Sequence, residues 1–338
     1  MHNPGYRHMT RLPLIAIALF LLTTAAATHA DVNSQAERQR FIERMVSEHG
    51  FEREGVASLI DGASLREDIL EAVKRPAEAR PWYEYYPIFL TPERVRGGVK
   101  FWQENTEVLA RAEEEFGVPA EIIVAIIGVE TSYGSYTGRY RIVDALTTLG
   151  FEYPPRGEFF LRELEQFLLL AREQGMDPAE VRGSYAGAMG MPQFISSSYR
   201  HYAVDFNGDG RTDLWRTHAD IIGSVANYFA AHGWEAGAPI VAAASRPPRN
   251  ADKLDTRTLE PEHTLRDLHR AGLRLEEDHS RSEKVTLIAL EQPDNKEYWV
   301  GFRNFYVITR YNRSKLYAMA TYLLSEQIRE QKEAQDGA

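Results

Sequence analysis

A nearly uninterrupted apolar run from Ala120 to Val129, followed at once by Glu130, constrains this chain more than any other segment. Pro119 suits the first turn of a helix, because the amide hydrogen that proline lacks has no partner there. A helix that is apolar on all sides belongs in a core. Glu130 would lie at the negative end of the helix dipole and against Ile126 and Ile127, and both surroundings favour a protonated carboxyl group. The segment therefore predicts a buried helix that carries a general acid at its end.

The N-terminus has the three-part layout of a secretory signal. Arg7 and Arg11 precede an apolar stretch at 12–22, and small residues then lead to Ala30. Because this stretch is short for a membrane span, we expect 1–30 to be a signal peptide that is removed, so that the mature protein is exported. An uncleaved N-terminal anchor is the alternative. The absence of cysteine excludes disulfides and a lipid anchor on cysteine.

The charge of the chain argues against nucleic acid as a partner. Removal of Arg7 and Arg11 with the signal lowers the 39 basic residues to 37, against 49 acidic residues, which leaves a net charge of about −12. Nucleic-acid-binding proteins carry an excess of basic residues instead.

The pattern along the chain predicts an α+β fold that is mainly helical. A capped helix is expected from Thr91 to Gly117, and further helices near 158–174, 221–232 and 314–331. Two strand-like runs, 285–290 and 298–302, flank a turn at 293–295. We expect an N-terminal helical region at 31–100, a catalytic core at 101–234, a small strand-containing insertion at 235–298, and a return to the core with a C-terminal helix at 299–338.

Two loops have unusual composition. The aromatic stretch 80–87 is either a plug between subdomains or a platform for sugar rings, and we favour the plug. The acidic loop has Asp205, Asn207 and Asp209 at alternate positions and Gly210 sixth, as a calcium loop begins. Its twelfth position is Arg216, where an EF-hand has a bidentate Glu. An acidic turn held by its own hydrogen bonds is the alternative.

Four segments, taken in order, resemble the lytic murein transglycosylase B family, glycoside hydrolase family 103. They are Glu130-Thr131-Ser132-Tyr133-Gly134, the run 184–194, the acidic loop from Asp205, and the run 311–318. The resemblance implies a lysozyme-like catalytic core in the periplasm. It also implies cleavage of the MurNAc-GlcNAc β-1,4 bond of peptidoglycan without water. The C6 hydroxyl of the sugar attacks its own anomeric carbon, which gives a 1,6-anhydroMurNAc end.

One carboxyl group suffices for that reaction, as acid and then as base, whereas a hydrolytic glycosidase normally needs two. No other acidic residue occurs in the segments around Glu130, 184–193 and 311–317. The resemblance assigns substrate contacts to Ser184, Gln193, Tyr85, Arg156, Tyr228, Tyr311, Asn312 and Tyr317. Tyr228 is equally well explained as a core aromatic.

Two details depart from the family pattern. Pro155 precedes Arg156 where some relatives have two arginines, which weakens the expectation that Arg156 binds a stem-peptide carboxylate. The family closes its acidic loop with an Asp, and Asp220 fits that place one residue late. The implied ligands of a structural Ca²⁺, with Na⁺ as the alternative ion, are Asp205, Asn207, Asp209, the carbonyl of Arg211, and Asp220.

The expected partners are peptidoglycan glycan strands and other cell-wall enzymes, with no organic cofactor. Two other functions remain open at this point. The first is a hydrolytic muramidase, in which water replaces the C6 hydroxyl, and the second is a non-catalytic protein that binds the cell wall.

Overall fold

The computed structural model describes residues 35–74, 80–255 and 258–337. The predicted signal peptide, 1–30, lies outside these residues. Within the described ranges, no helix combines the length and the apolar character that crossing a membrane requires. These ranges are mainly helical, with one two-stranded and one five-stranded β-sheet.

Short amphipathic helices open the described chain, as the spacing of apolar residues predicts. Helix α1 spans 35–49, and its apolar face includes Phe41 and Met45, which are at most 1% exposed. Helix α2 (Arg53–Asp61) and helix α3 (Glu67–Ala72) bury Ile60 and Ile69 in the same core.

The aromatic stretch forms helix α4 (Trp82–Tyr85) and a 3₁₀ turn (Tyr86–Ile88). Trp82 and Tyr85 are only 3% and 1% exposed, and the Tyr85 ring packs 5.1 Å from that of Phe89. The interpretation as a core plug is therefore confirmed for these two side chains.

The single helix predicted between Thr91 and Gly117 is wrong, because the structure has two. Helix α5 is Pro92–Glu104 and helix α6 is Thr106–Phe116. The break lies at Asn105, whose side-chain amide donates to the Phe101 carbonyl over 2.7 Å and so competes with the helical backbone. The predicted N-terminal cap is confirmed, since the Thr91 hydroxyl accepts from the Arg94 amide over 3.2 Å.

Helix α7 (Ala120–Thr131) is the central helix, and its eight residues from Ile122 to Val129 are all buried. Pro119 is its N-cap rather than its first residue. Burial of each large aliphatic side chain stabilises the folded state by about 1.5–3 kcal/mol. α7 packs against α5, α6, and two later helices, α11 (His218–Ala231) and α15 (Lys315–Asp336).

The remaining core elements surround α7. Two short strands, β1 (Tyr140–Arg141) and β2 (Arg182–Gly183), form an antiparallel pair. The helices between and after them are α8 (Ile142–Glu152), α9 (Gly157–Gln174) and α10 (Ser196–Tyr202). Helix α14 (Arg303–Tyr311) precedes α15.

The insertion has its own small core around a five-stranded antiparallel sheet of order β4-β6-β7-β3-β5. Both predicted strands and the turn between them are confirmed, as β6 and β7. The strands are β3 (Val241–Arg246), β4 (His263–Thr264), β5 (Arg274–Leu275), β6 (Lys284–Glu291) and β7 (Lys296–Gly301), with the short helices α12 (Ala251–Leu254) and α13 (Leu265–Arg270).

The insertion is tied to the start of α15. The Lys315 ammonium donates to the Leu287 carbonyl of β6 over 2.8 Å and pairs with Asp255 over 2.7 Å. Two of the expected segment boundaries, 100/101 and 298/299, fall inside α5 and β7.

Close packing of α5 on α7 depends on glycines that make room for the Tyr133 ring. A Cβ atom on Gly128 would lie 2.5 Å from the Tyr133 hydroxyl oxygen, and one on Gly98 would lie 2.6 Å from it. Tyr133 cannot easily move, because its hydroxyl donates to the Arg94 carbonyl over 2.9 Å.

We therefore expect Gly128→Ala to lower the free energy of unfolding by about 1–3 kcal/mol, through overpacking. Thermal unfolding followed by circular dichroism measures the change. Gly55→Ala is the matched control, since Gly55 is exposed on α2 with its nearest atom 4.0 Å from the added carbon. The free energy of unfolding of this control should rise by up to about 1 kcal/mol, because alanine has a higher helix propensity than glycine. A melting temperature that rises in both variants would refute the packing argument.

Candidate active site

Glu130 lies in the last turn of α7, as predicted, and is partly exposed. The chain turns sharply after it, because Ser132 and Tyr133 both adopt left-handed backbone conformations, with φ of 48° and 60°. The Ser132 and Tyr133 amides donate back to the carbonyls of Gly128 and Ile127. This is the usual geometry of a helix C-terminus, but with non-glycine residues in strained positions. Such strain is frequent at functional sites.

Two side chains, Thr131 and Arg94, hold this turn in place. The Thr131 hydroxyl donates to the Met191 carbonyl over 3.1 Å. The Arg94 guanidinium donates to the Ser132 hydroxyl over 2.9 Å and to the Ile88 carbonyl over 2.6 Å. The long Arg94 side chain reaches across from α5, and no local sequence pattern signals such a contact.

Tyr317 contacts Glu130 directly. Its hydroxyl donates to Oε1 of Glu130 over 2.5 Å, although the two residues are 187 positions apart. Ser314 caps α15 by accepting from the Tyr317 amide over 3.2 Å, which fixes the first turn of that helix. Burial raises the pKa of the Tyr317 hydroxyl well above its usual value, and the Glu130 charge adds to the shift. Tyr317 therefore keeps its proton and remains a donor at neutral pH.

An aromatic cluster continues from Tyr317. Tyr311 donates its hydroxyl to the Pro192 carbonyl over 2.7 Å, and its ring centroid is 4.9 Å from that of Tyr228. Burial, followed by the Glu130 charge, raises the pKa of Tyr311 as well. Tyr228 is 7% exposed and its hydroxyl donates to the Arg310 carbonyl over 2.7 Å. Of the two explanations for Tyr228, these contacts favour a core aromatic that supports Tyr311.

Tyr85 reaches the same cluster from the N-terminal side. After burial and the charges of Glu130 and Tyr311, Tyr85 also contributes to the raised pKa of Tyr317. Because Tyr85 is only 1% exposed, it supports the site from within the core rather than from the surface of the cleft.

The segment 184–194 forms a tight loop beside Glu130. The Ser184 hydroxyl accepts from the amides of Ala186 and Ala188, so it shapes the loop. Gln193 has a left-handed backbone, with φ of 51°, and its side-chain amide donates to the carbonyls of Gly190 and Thr137. Gln193 therefore joins this loop to the segment that follows Glu130.

Asn312 ends α14 next to Tyr311 and is partly exposed, and its carbonyl accepts from the Ser314 amide over 2.7 Å. Arg156 is exposed at the start of α9 and lies over the rings of Phe159 and Phe160, at 4.3 and 5.2 Å. The structure thus brings Asn312 beside the aromatic cluster, whereas the contacts of Arg156 are with its own helix.

The acidic loop is organised by its own carboxylates. Asp205 accepts from the amides of Gly208, Asp209 and Gly210, and Asn207 accepts from the amide of Asp209. The buried Asp220 accepts from the amides of Phe206 and Asp213, so it joins the two ends of the loop. Burial raises the pKa of Asp220.

These bonds do not exhaust the ligand capacity of the loop. An ionised carboxylate can accept about four hydrogen bonds. Asp205 accepts three from backbone amides, and Asp220 accepts two. Oxygen donors from carboxylate, amide and backbone carbonyl groups are the ones Ca²⁺ prefers. In the described ranges, however, no three His, Asp or Glu side chains already converge as a metal site. The donor chemistry of the loop fits a hard cation.

Comparison with known proteins agrees with this architecture. The family described as Transglycosylase SLT domain matches residues 33–326. The chain is 42% identical over 309 residues to the membrane-bound lytic murein transglycosylase B of Escherichia coli, covering 88% of this chain and 84% of that protein.

Solved structures give the same relationship. Soluble lytic transglycosylase SltB1 of Pseudomonas aeruginosa has a TM-score of 0.82 at 49% identity, covering 88% and 99% of the two chains. Escherichia coli Slt35 in complex with calcium has a TM-score of 0.80 at 42% identity, covering 87% and 93%. SltB3 of P. aeruginosa, in complex with NAG-NAM-pentapeptide, has a TM-score of 0.77 at 29% identity, covering 88% and 79%.

These neighbours confirm the expected lysozyme-like, mostly helical fold. The chain therefore belongs to the transglycosylase SLT domain family and is a lytic murein transglycosylase, an enzyme that cleaves peptidoglycan.

Proposed function

We propose that Glu130 is both the acid and the base of a cleavage that consumes no water. Glu130 gives its proton to the glycosidic oxygen as the bond to C1 of MurNAc breaks, and GlcNAc leaves with a free 4-hydroxyl. The carboxylate then takes the proton of the C6 hydroxyl of the same MurNAc, whose oxygen bonds to C1. The product is a 1,6-anhydroMurNAc end, and Glu130 is again protonated.

The hydrogen bond from Tyr317 to Glu130 is the observation that carries this proposal. A buried phenol that stays protonated holds the carboxyl group in one orientation and can stabilise its charged form between the two proton transfers. After burial, the charge of Glu130 is the next largest cause of the raised pKa of both Tyr317 and Tyr311. One carboxyl group that gives and then takes a proton fits the transglycosylase reaction, whereas hydrolysis normally needs two carboxylates.

The surrounding side chains are assigned to the sugar. The Gln193 side-chain oxygen has no donor among the described residues, and it suits the N-acetyl group or a hydroxyl next to the cleaved bond. Asn312 and Tyr311 are assigned polar and aromatic contacts with the sugar, and the Tyr311 hydroxyl is bonded to the Pro192 carbonyl next to Gln193. Ser184, Tyr228 and Tyr85 act indirectly, because their contacts shape the loop and the aromatic cluster.

Arg156 remains the candidate for a stem-peptide carboxylate, since it is exposed and makes no salt bridge in the described part of the chain. Peptidoglycan glycan strands are the partner of the enzyme, and other cell-wall enzymes are further partners.

Digestion of purified sacculi tests the enzyme against the non-catalytic alternative. We expect wild-type protein both to sediment with sacculi and to release soluble muropeptides. Sedimentation without any release would leave a cell-wall-binding protein and would reject the proposed catalysis.

We place the enzyme in the periplasm. Its substrate is the cell wall, and the N-terminal residues 1–30 have the layout of an export signal. Since the sequence contains no cysteine, it has no thiol for a lipid anchor.

The acidic loop is proposed to bind a structural Ca²⁺, with Na⁺ as the alternative ion. Asp205, Asn207, Asp209, the Arg211 carbonyl and Asp220 provide the oxygen ligands. Because the pKa of Asp220 is raised by burial, the ionised form of Asp220 costs stability in the metal-free protein. This cost appears as the pH rises through the raised pKa and is absent below the pKa of the unfolded chain. A bound cation would offset it at neutral pH.

Addition of Ca²⁺ to metal-free protein should therefore raise the melting temperature at neutral pH, and less so at acid pH. Calcium at about one hundred times its Kd would add about 2.7 kcal/mol to the free energy of unfolding. Asp209→Ala should lose the response, because Asp209 is an exposed ligand of the loop. Asp61→Asn, an exposed acid on α2, is the control that should keep it. If millimolar Ca²⁺ leaves the melting temperature of the wild-type protein unchanged, the proposed calcium site is refuted.

A further inference from the structure

Arg94 is a half-buried cation that the proposed reaction does not use. It lies in the first turn of α5, where the Thr91 hydroxyl accepts from its amide. Burial lowers the pKa of its guanidinium, which pairs with no carboxylate in the described ranges. Its Nε is buried without a hydrogen-bond partner. Because burial of a cation without a paired carboxylate costs free energy, the place of Arg94 in the structure requires a reason.

Arg94 contacts both strained residues of the turn that follows Glu130. Its guanidinium donates to the Ser132 hydroxyl over 2.9 Å, and its carbonyl accepts from the Tyr133 hydroxyl over 2.9 Å. Ser132 and Tyr133 have φ of 48° and 60°, a region that residues other than glycine rarely adopt. One residue of α5 therefore restrains both positions at which the backbone leaves α7.

The guanidinium is also fixed on its other side. It donates to the Ile88 carbonyl over 2.6 Å and lies 5.4 Å from the centre of the Phe89 ring. The Phe89 ring packs in turn on Tyr85, at 5.1 Å, in the core plug. The Arg94 side chain therefore connects a well-packed part of the core to the turn after Glu130.

The turn depends on such contacts because its sequence does not favour its backbone. A helix C-terminus usually has glycine at the left-handed position. Here Gly134 comes two positions after Ser132, so Ser132 and Tyr133 themselves adopt the unfavourable conformation. Without a side-chain contact from outside the turn, this backbone would relax, and Glu130 would move with it.

We propose that Arg94 is a positioning residue of the transglycosylase reaction, because it holds Ser132 in its left-handed conformation and so keeps Glu130 aligned with Tyr317. This inference rests on the proposed function of Glu130 as acid and base. A small displacement of a reacting group lowers the rate of the chemical step. Binding of the substrate by the rest of the cleft does not depend on this alignment. Loss of the guanidinium should therefore lower kcat and leave KM almost unchanged.

Arg94→Met tests the effect of the guanidinium, because methionine keeps a long side chain and removes every donor. We expect kcat for the release of muropeptides to fall about tenfold, with KM within about twofold of wild type. Arg96→Met is the matched control, since Arg96 is exposed on the same helix and pairs with Glu93. The control should keep the wild-type kcat. An unchanged kcat in Arg94→Met, or an equal loss in Arg96→Met, would overturn the proposal.

Substitutions of Ser132 separate support of the backbone from any other effect of Arg94. Glycine adopts the left-handed conformation without steric cost, so the turn of Ser132→Gly should no longer need the guanidinium. In that background Arg94→Met should lower kcat by less than about threefold. Ser132→Ala keeps the strain and loses the hydroxyl, so adding Arg94→Met to it should also have little further effect. A tenfold loss from Arg94→Met in all three backgrounds would overturn the proposal.

Melting temperatures separate positioning from a role in folding alone. Each variant is assayed well below its own melting temperature, where the protein is fully folded. A loss of kcat that disappears after correction for unfolded protein would overturn the proposal. Wild-type activity in Glu130→Gln would contradict the proposed function instead. The effects of Arg94 and Ser132 are measured in proteins that keep Glu130, so they would still decide whether Arg94 acts through the turn.

Discussion

Glu130→Gln is expected to reduce the release of soluble muropeptides from sacculi by at least about 10²–10⁴-fold, the range attributable to one general acid–base group. The amide cannot give a proton to the glycosidic oxygen, nor can it accept one from the C6 hydroxyl. Because both steps of the proposed reaction depend on the same group, the loss should lie at the upper end of this range. Initial rates of release, measured at matched protein concentration, provide the value.

Glu121→Gln is the matched control, since it makes the same change in the first turn of the same helix. It should leave the rate within about twofold of wild type and should fold normally. Activity of Glu130→Gln close to the wild-type rate would remove Glu130 from the mechanism. A loss of equal size in both variants would indicate a folding defect.

Tyr317→Phe has the second largest expected effect. The variant keeps the buried ring and loses the hydroxyl that donates to Glu130 over 2.5 Å. Hydrogen bonds to charged groups contribute about 1.5–3 kcal/mol, so kcat/KM should fall by about ten- to hundredfold. Since the donor favours the carboxylate form, its loss should also move the pH–rate profile of the enzyme towards higher pH.

The pH profile separates a positioning role from general loss of structure. Tyr322→Phe on the same helix is the control, because burial raises the pKa of Tyr322 to about 12 without any contact to Glu130 among the described residues. It should change neither the rate nor the profile. A Tyr317→Phe enzyme with reduced rate and an unshifted profile would argue against stabilisation of the Glu130 charge by Tyr317.

Local patterns predicted the elements that depend on local interactions. The apolar run of α7, the Thr91 cap and the alternation in β6 and β7 each have a short-range cause, and the structure has all of them. The break at Asn105 was missed because an asparagine is tolerated in a helix, and only its side-chain bond to the Phe101 carbonyl shows the interruption. Strands β3, β4 and β5 are short and were likewise not predicted.

The candidate site was predicted by residue type but not by geometry. Glu130 was singled out from its surroundings on α7, whereas its bond to Tyr317 joins helices that are distant in sequence. The role of Arg94 does not follow from the sequence, since its contact to Ser132 depends on how α5 packs on α7. Tyr85 was named through the family resemblance, and only its burial shows that it supports the site from within the core.

In the acidic loop, too, some features follow from the sequence and others depend on the fold. Its alternating oxygen ligands could be read from the sequence, but the role of Asp220 depends on the fold. That carboxylate closes the loop by accepting from the Phe206 and Asp213 amides at 2.9 and 2.8 Å.

The mass of the newly formed MurNAc end, after digestion of sacculi in water enriched in heavy oxygen, tests the single-carboxyl mechanism most directly. The proposed reaction predicts ends that are lighter than reducing MurNAc by one water molecule and that contain no heavy oxygen. Reducing ends that carry heavy oxygen would show that water is the nucleophile and would contradict the account.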